Sequence, residues 1–168
     1  MAGGEDFYRQ SRFGYYALPI AEAYDSDLYL LHVYQPPVPP PLTAEYTLPL
    51  PEYDRRQAEQ EFQTLEGTGV LARRRHSFLV ESGGVADVVA ETVQKCRIDL
   101  VVVGTHGRGG MTTLLMGSAA EEILRRVTCP VLTIAPHVPQ APAAFKFRRI
   151  LYATDYQPGS LHALPHAL

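Results

Sequence analysis

The residues best suited to chemistry lie between Asp99 and Pro130, in the stretch DLVVVGTHGRGGMTTLLMGSAAEEILRRVTCP. Four glycines, Gly104, Gly107, Gly109 and Gly110, fall within seven residues, and a further one, Gly117, stands directly before Ser118. Glycine lets the backbone take φ > 0 and lets a ligand approach it closely. Ahead of the loop, Leu100-Val101-Val102-Val103 is an unbroken apolar run of mostly β-branched residues, the pattern of a strand covered on both faces. Behind it, Ala119–Arg126 predicts a helix, with Ser118 as its N-cap and acidic residues in its first turn. Strand, glycine loop and helix N-terminus together make a phosphate site, because loop amides and the positive helix end point at the same anion. On this reading Gly104, Gly107, Gly117 and Ser118 hold phosphate; the plain alternative is a structural turn. Arg108 either pairs with a phosphate or stays in solvent. His106 shapes the loop.

The spacing is Gly104-x2-Gly107-x9-Gly117-Ser118. No Gly-Lys-Ser/Thr follows, so it is not a P-loop, and no G-x-G-x-x-G can be read for a dinucleotide. It resembles the nucleotide-binding motif of the universal stress protein family, G-x2-G-x9-G-S/T. The flanking words DLVVVGTHGRGG and GSAAEEILRRVTCPVLTIAP agree with it. The resemblance runs from about Ala17 to Pro136 and returns between Arg149 and Leu168.

That resemblance implies ATP as ligand, with Mg²⁺ able to accompany its phosphates, and a nucleotide-responsive sensor or interaction module without dedicated catalysis. It implies that Asp155 matches the family aspartate on the adenine side, where a carboxylate accepts hydrogen bonds from an amine or a ribose hydroxyl. Val33, near the end of an earlier strand, is a second contact expected on the adenine side. The family commonly dimerises through the edge strand after Cys-Pro, here Val131–Ala135. An apolar edge with unpaired backbone groups and no guarding lysine favours a homodimer on physical grounds too.

No metal-ligand spacing, H-x-E or nucleophile elbow can be read, so no enzyme is expected beyond slow incidental ATP hydrolysis. Two other classes stay open. One is a structural or dimerisation module of the same fold that binds no nucleotide. The other is an adenylyl-transferring enzyme, for which no acceptor site is legible.

The elements that must position these residues alternate. A helix is expected from Tyr15 to Tyr24, with Pro19 near its first turn, and a buried strand over Asp27–Tyr34 in which His32 is a core histidine. A stiff proline-rich loop follows, Gln35–Pro41. Next come a polar helix from Pro51 to Leu65, ended by Gly67 and Gly69, and a strand His76–Glu81 behind the solvated basic triplet Arg73-Arg74-Arg75. A helix Val85–Cys96, the central strand, the helix near Ser118–Val127 and a last strand Val131–Ala135 complete the series. The expected fold is α/β: three layers, an open five-stranded parallel sheet with helices on both faces, and the ligand beyond the carboxyl ends of the strands.

Five strands require one more than residues 1–136 supply, since the family's first strand is missing at the N-terminus. Its match, Arg149-Ile150-Leu151-Tyr152-Ala153-Thr154-Asp155, comes late. The expected organisation is therefore an α/β domain over 1–136, a linker over 137–147, and a first strand with a partial first helix over 148–168. That last piece either completes the sheet, in its own chain or a partner's, or begins a truncated second domain. Reach allows its own chain: the twelve residues Pro136–Phe147 extend about 40 Å. Filling the slot is the expected outcome, because an empty one leaves two unpaired edges facing the core.

Composition sets the outer bounds. With 168 residues, 46% of them hydrophobic, the chain can bury a real core. A formal charge of -3 without a long basic run speaks against nucleic-acid binding. Cys96 and Cys129 fit neither a disulfide framework nor a zinc spacing. No run spans a membrane and no signal peptide is legible, so a cytoplasmic location is expected.

Overall fold

The computed structural model describes residues 12–35, 51–72, 74–104, 117–135, 149, 151–155, 157, 163 and 165. Its elements are α1 (Arg12–Tyr24), β1 (Leu28–Tyr34), α2 (Pro51–Gly67), β2 (His76–Ser82), α3 (Val85–Cys96), β3 (Val101–Gly104), α4 (Ser118–Arg126) and β4 (Val131–Ile134). Helix and strand alternate throughout, so the α/β reading holds. Most boundaries fall within two residues of expectation. The exception is α1, which starts earlier and carries Pro19 inside rather than in its first turn. A proline there removes one hydrogen bond from the helix ladder.

The strands form two parallel pairs, β1 with β2 and β3 with β4. Leu28 stands opposite His76 and Tyr34 opposite Ser82; Val101 stands opposite Val131 and Gly104 opposite Ile134. One five-stranded sheet is therefore not what the described residues form. Among the described residues neither β1 nor β3 has a second ladder, and Leu151 to Asp155 belongs to neither pair. Each pair is a strand–helix–strand crossover that closes locally, whereas joining the pairs needs a strand from far along the chain.

Helices hold the pairs together. α1, which leads into β1, packs against β3, and α3, which leads into β3, packs against β1. α3 and α4 lie on one another through buried Ala86, Val93, Ala120 and Ile123. Burying a side chain such as Val93 or Ile123 contributes about 1.5–3 kcal/mol. Around the other pair the core is Ala21, Ala58, Leu65 and Leu71, the last 1% exposed. Phe62 of α2 stacks on Phe78 of β2 with ring centroids 4.6 Å apart, which seats α2 on its pair.

Chain reversals are placed by glycine where φ is positive. Gly69, at φ +73, donates to the Glu66 carbonyl and closes α2. Gly83, at φ +141, turns β2 into α3; a Cβ there would come within 3.2 Å of Val88 Cγ2. The basic triplet is more than a solvated entrance. Arg74 pairs with Glu22 of α1 at 3.0 Å, and Arg75 pairs with Asp27 while its carbonyl accepts the Leu28 amide. These contacts dock the start of β2 beside the start of β1; Arg73 is outside the described residues.

Candidate functional site

Gly104 ends β3 and so stands at the strand's carboxyl end, opposite Ile134. The Val101 amide donates to the Pro130 carbonyl, which fixes the other end of the pair at the start of β4. Parallel pairing obliges the segment between β3 and β4 to carry the chain back to the amino end. α4 belongs to that crossover and follows β3 in the chain.

The cap of α4 differs from expectation. Gly117, not Ser118, is the N-cap, with φ -61 and ψ 142. The reason is the first intrahelical bond: the Gly117 carbonyl already accepts the Glu121 amide at 3.0 Å, so Ser118 is the first helical residue. Among the described residues no side chain caps this end. The first-turn amides, which make the helix's positive pole, thus have no side-chain acceptor among the described residues, and the exposed Ser118 stands beside them. This is the chemistry an anion such as phosphate completes.

The far end of α4 is clasped. The Arg126 guanidinium donates to Asp87 of α3 through one nitrogen and to Glu122 Oε1 at 2.6 Å through the other. Arg125 pairs with Glu121 at 2.7 Å. Basic groups in the last turn also suit the negative pole of the helix. Spacing alone did not reveal the tie to Asp87, because the two residues lie 39 positions apart.

Val33 is half-buried near the carboxyl end of β1, opposite Glu81. Gly107, Arg108 and His106 fall outside the described residues. Asp155 is exposed, and its Oδ1 accepts the Gln157 amide at 2.9 Å, a local turn outside both ladders. The described residues thus give Gly104, Val33, Gly117 and Ser118 places at strand or helix ends, and leave Asp155 in its own turn. A separate cleft of about 320 Å³ lies between α2 and β2, floored by Phe62 and Phe78; none of its lining residues belongs to β3 or α4.

Among the described residues no group of three or more His, Cys, Asp or Glu is placed to hold a metal ion. Among them, too, no helix is long and apolar enough to cross a membrane.

Residues 15–135 match the universal stress protein family. A universal stress protein of Methanocaldococcus jannaschii is 30% identical over 125 residues, which cover 71% of each chain. Universal stress protein A homolog 1 of Coxiella burnetii is 46% identical over 65 residues, 39% of this chain and 42% of the relative. Among solved structures, a universal stress protein in complex with cAMP superposes with a TM-score of 0.50 at 20% identity, covering 74% of this chain and 86% of that one. A universal stress protein from Archaeoglobus fulgidus gives 0.51 at 16% identity, covering 74% and 88%. The last two likenesses concern the fold. With the family match spanning most of the chain and the two crossover pairs in the expected order, this chain belongs to the universal stress protein family.

Proposed function

We propose that this chain binds a nucleotide, ATP, through the end of β3 and the N-terminus of α4, and acts as a nucleotide-responsive sensor or interaction module without dedicated catalysis. The observation that supports the reading is the first turn of α4: its cap is a glycine, and among the described residues no side chain caps it. Three more facts support it. The motif Gly104-x2-Gly107-x9-Gly117-Ser118 is complete in the sequence. The chain belongs to a family in which one structural neighbour was solved with cAMP. Ser118 supplies a hydroxyl among the uncapped amides. In this reading Gly107 and Arg108 close the loop over the phosphates, Val33 borders the base, and Mg²⁺ rides on the phosphates.

Calorimetry with ATP, with and without Mg²⁺, tests it. Saturable heat is expected, lost in Gly107→Val and reduced in Ser118→Ala while the far-ultraviolet circular dichroism stays unchanged. Absence of heat or saturation at millimolar ATP refutes the reading.

The second reading, a structural or dimerisation module without ligand, draws on Asp155. Its carboxylate accepts the Gln157 amide in a local turn. A folded protein that binds no nucleotide in the same calorimetry supports that alternative.

A further inference from the structure

We infer that the cleft between α2 and β2 binds a small organic monocation, an arylalkyl primary ammonium, with its ring on Phe62 and Phe78 and its charge at Glu66. The first ground is the floor. Phe62, Phe78 and Val80 line a cleft of about 320 Å³, at the small end of the range for ligand sites. The two rings stack at 4.6 Å with 20° between their planes, and both are half-buried. Aromatic rings offer apolar surface to another ring and a negative π face to a cation.

The second ground is the charge around that floor. Arg55, Glu59, Phe62 and Glu66, three or four residues apart, share one face of α2 and line the cleft. One guanidinium thus stands against two carboxylates, and Arg55 is taken by Glu59 at 2.9 Å. Among the described residues the Glu66 carboxylate meets only His76, whose Nε2 lies 3.6 Å from its Oε1. The other ring nitrogen, Nδ1, lies 3.0 Å from the Arg74 carbonyl. A carbonyl can only accept, so Nδ1 carries the hydrogen. In a neutral ring Nε2 is then an acceptor, and two acceptors face each other across the gap. His76 also stands edge-on to Phe78 with centroids 5.1 Å apart, so this gap adjoins the aromatic floor. A primary ammonium has three donors and no acceptor, which is what two facing acceptors lack.

The occupant follows from these two grounds together. A carboxylate or phosphate would meet Glu66 and be repelled. A lysine side chain from a partner has a thin unbranched stem that would leave the rings uncovered. A free amine carrying its own aromatic ring covers the floor and neutralises Glu66 at once. None of the lining residues belongs to β3 or α4, so the inference stands apart from the nucleotide reading.

The test uses the full chain, labelled with ¹⁵N and titrated with phenethylammonium chloride near neutral pH, on the alkaline side of an ordinary imidazole's titration, where an alkylammonium keeps its charge. Saturable shifts are expected at the amides of 62–66 and 76–80. 2-Phenylethanol, with the same ring and no charge, is expected to bind about three- to tenfold more weakly, and phenylacetate more weakly still. Glu66→Gln changes an exposed position and should leave the circular dichroism unchanged, while bringing the amine to within about twofold of the alcohol. Phe62→Leu keeps apolar volume without the ring and should weaken the amine by about threefold or more. The inference is overturned by shifts that fail to saturate at tens of millimolar amine, by saturable shifts centred outside α2 and β2, by an alcohol or carboxylate that binds as tightly as the amine, or by an amine indifferent to Glu66→Gln.

Discussion

The clasp between α3 and α4 can be weighed by removing one charge. Asp87→Asn keeps the side chain's size and hydrogen-bonding reach but withdraws the carboxylate from Arg126. Asp87 is 60% exposed and Arg126 42%, so solvent screens the pair and its contribution is about 0.2–1 kcal/mol. Asp87 also lies in the first turn of α3, where a negative charge gains a further ~0.3–1 kcal/mol from the helix dipole. The sum is about 1 kcal/mol, or a Tm lower by about 2–4 °C in a chain of this size. In Asp87→Asn the guanidinium of Arg126 keeps Glu122, whereas Arg126→Gln loses both partners and should cost somewhat more. A double-mutant cycle by urea unfolding should return a coupling of about 0.5 kcal/mol, falling towards zero in about 1 M salt. A coupling of zero at low salt, or one that salt leaves intact, would mean that the clasp does not tie the helices together.

Three further outcomes follow from burial and backbone geometry. Leu71→Ala empties a site 1% exposed between α2 and β2 and should cost about 2–5 kcal/mol by chemical denaturation. Arg97, the C-cap of α3, holds φ 52 and ψ 52, a left-handed conformation; Arg97→Gly should raise stability by about 0.5–1 kcal/mol, whereas Gly83→Ala, at φ +141, should lower it by about 1 kcal/mol or more. Burial pushes the Cys129 thiol up from its ordinary range, and the nearby Asp99 adds to this, while backbone hydrogen bonds oppose it. Iodoacetamide should therefore alkylate Cys129 more slowly than a free cysteine near pH 8. The folded state also binds more protons there, so stability should decline as pH rises through the thiol range.

Much of this molecule is local and can be read along the chain. The apolar run Val101–Val103, the glycine turns at Gly69 and Gly83, Pro51 at the head of α2 and the acidic first turn of α4 each carry their instruction within a few residues. Propensity, capping and steric limits act at that range, which is why element order and the phosphate-type motif were legible. The cap of α4 was misplaced by one residue because the choice between Gly117 and Ser118 depends on which carbonyl accepts the Glu121 amide. What the sequence could not decide depends on partners far apart in the chain. The Asp87–Arg126 clasp, the stack of Phe62 on Phe78, and the pairing of Arg74 with Glu22 arise only when crossovers bring distant elements together. The division into two ladders is of the same kind. A β-type run such as Arg149–Asp155 announces that it can be a strand, but a strand's place is set by which edges lie open to it, and only the tertiary structure supplies those edges.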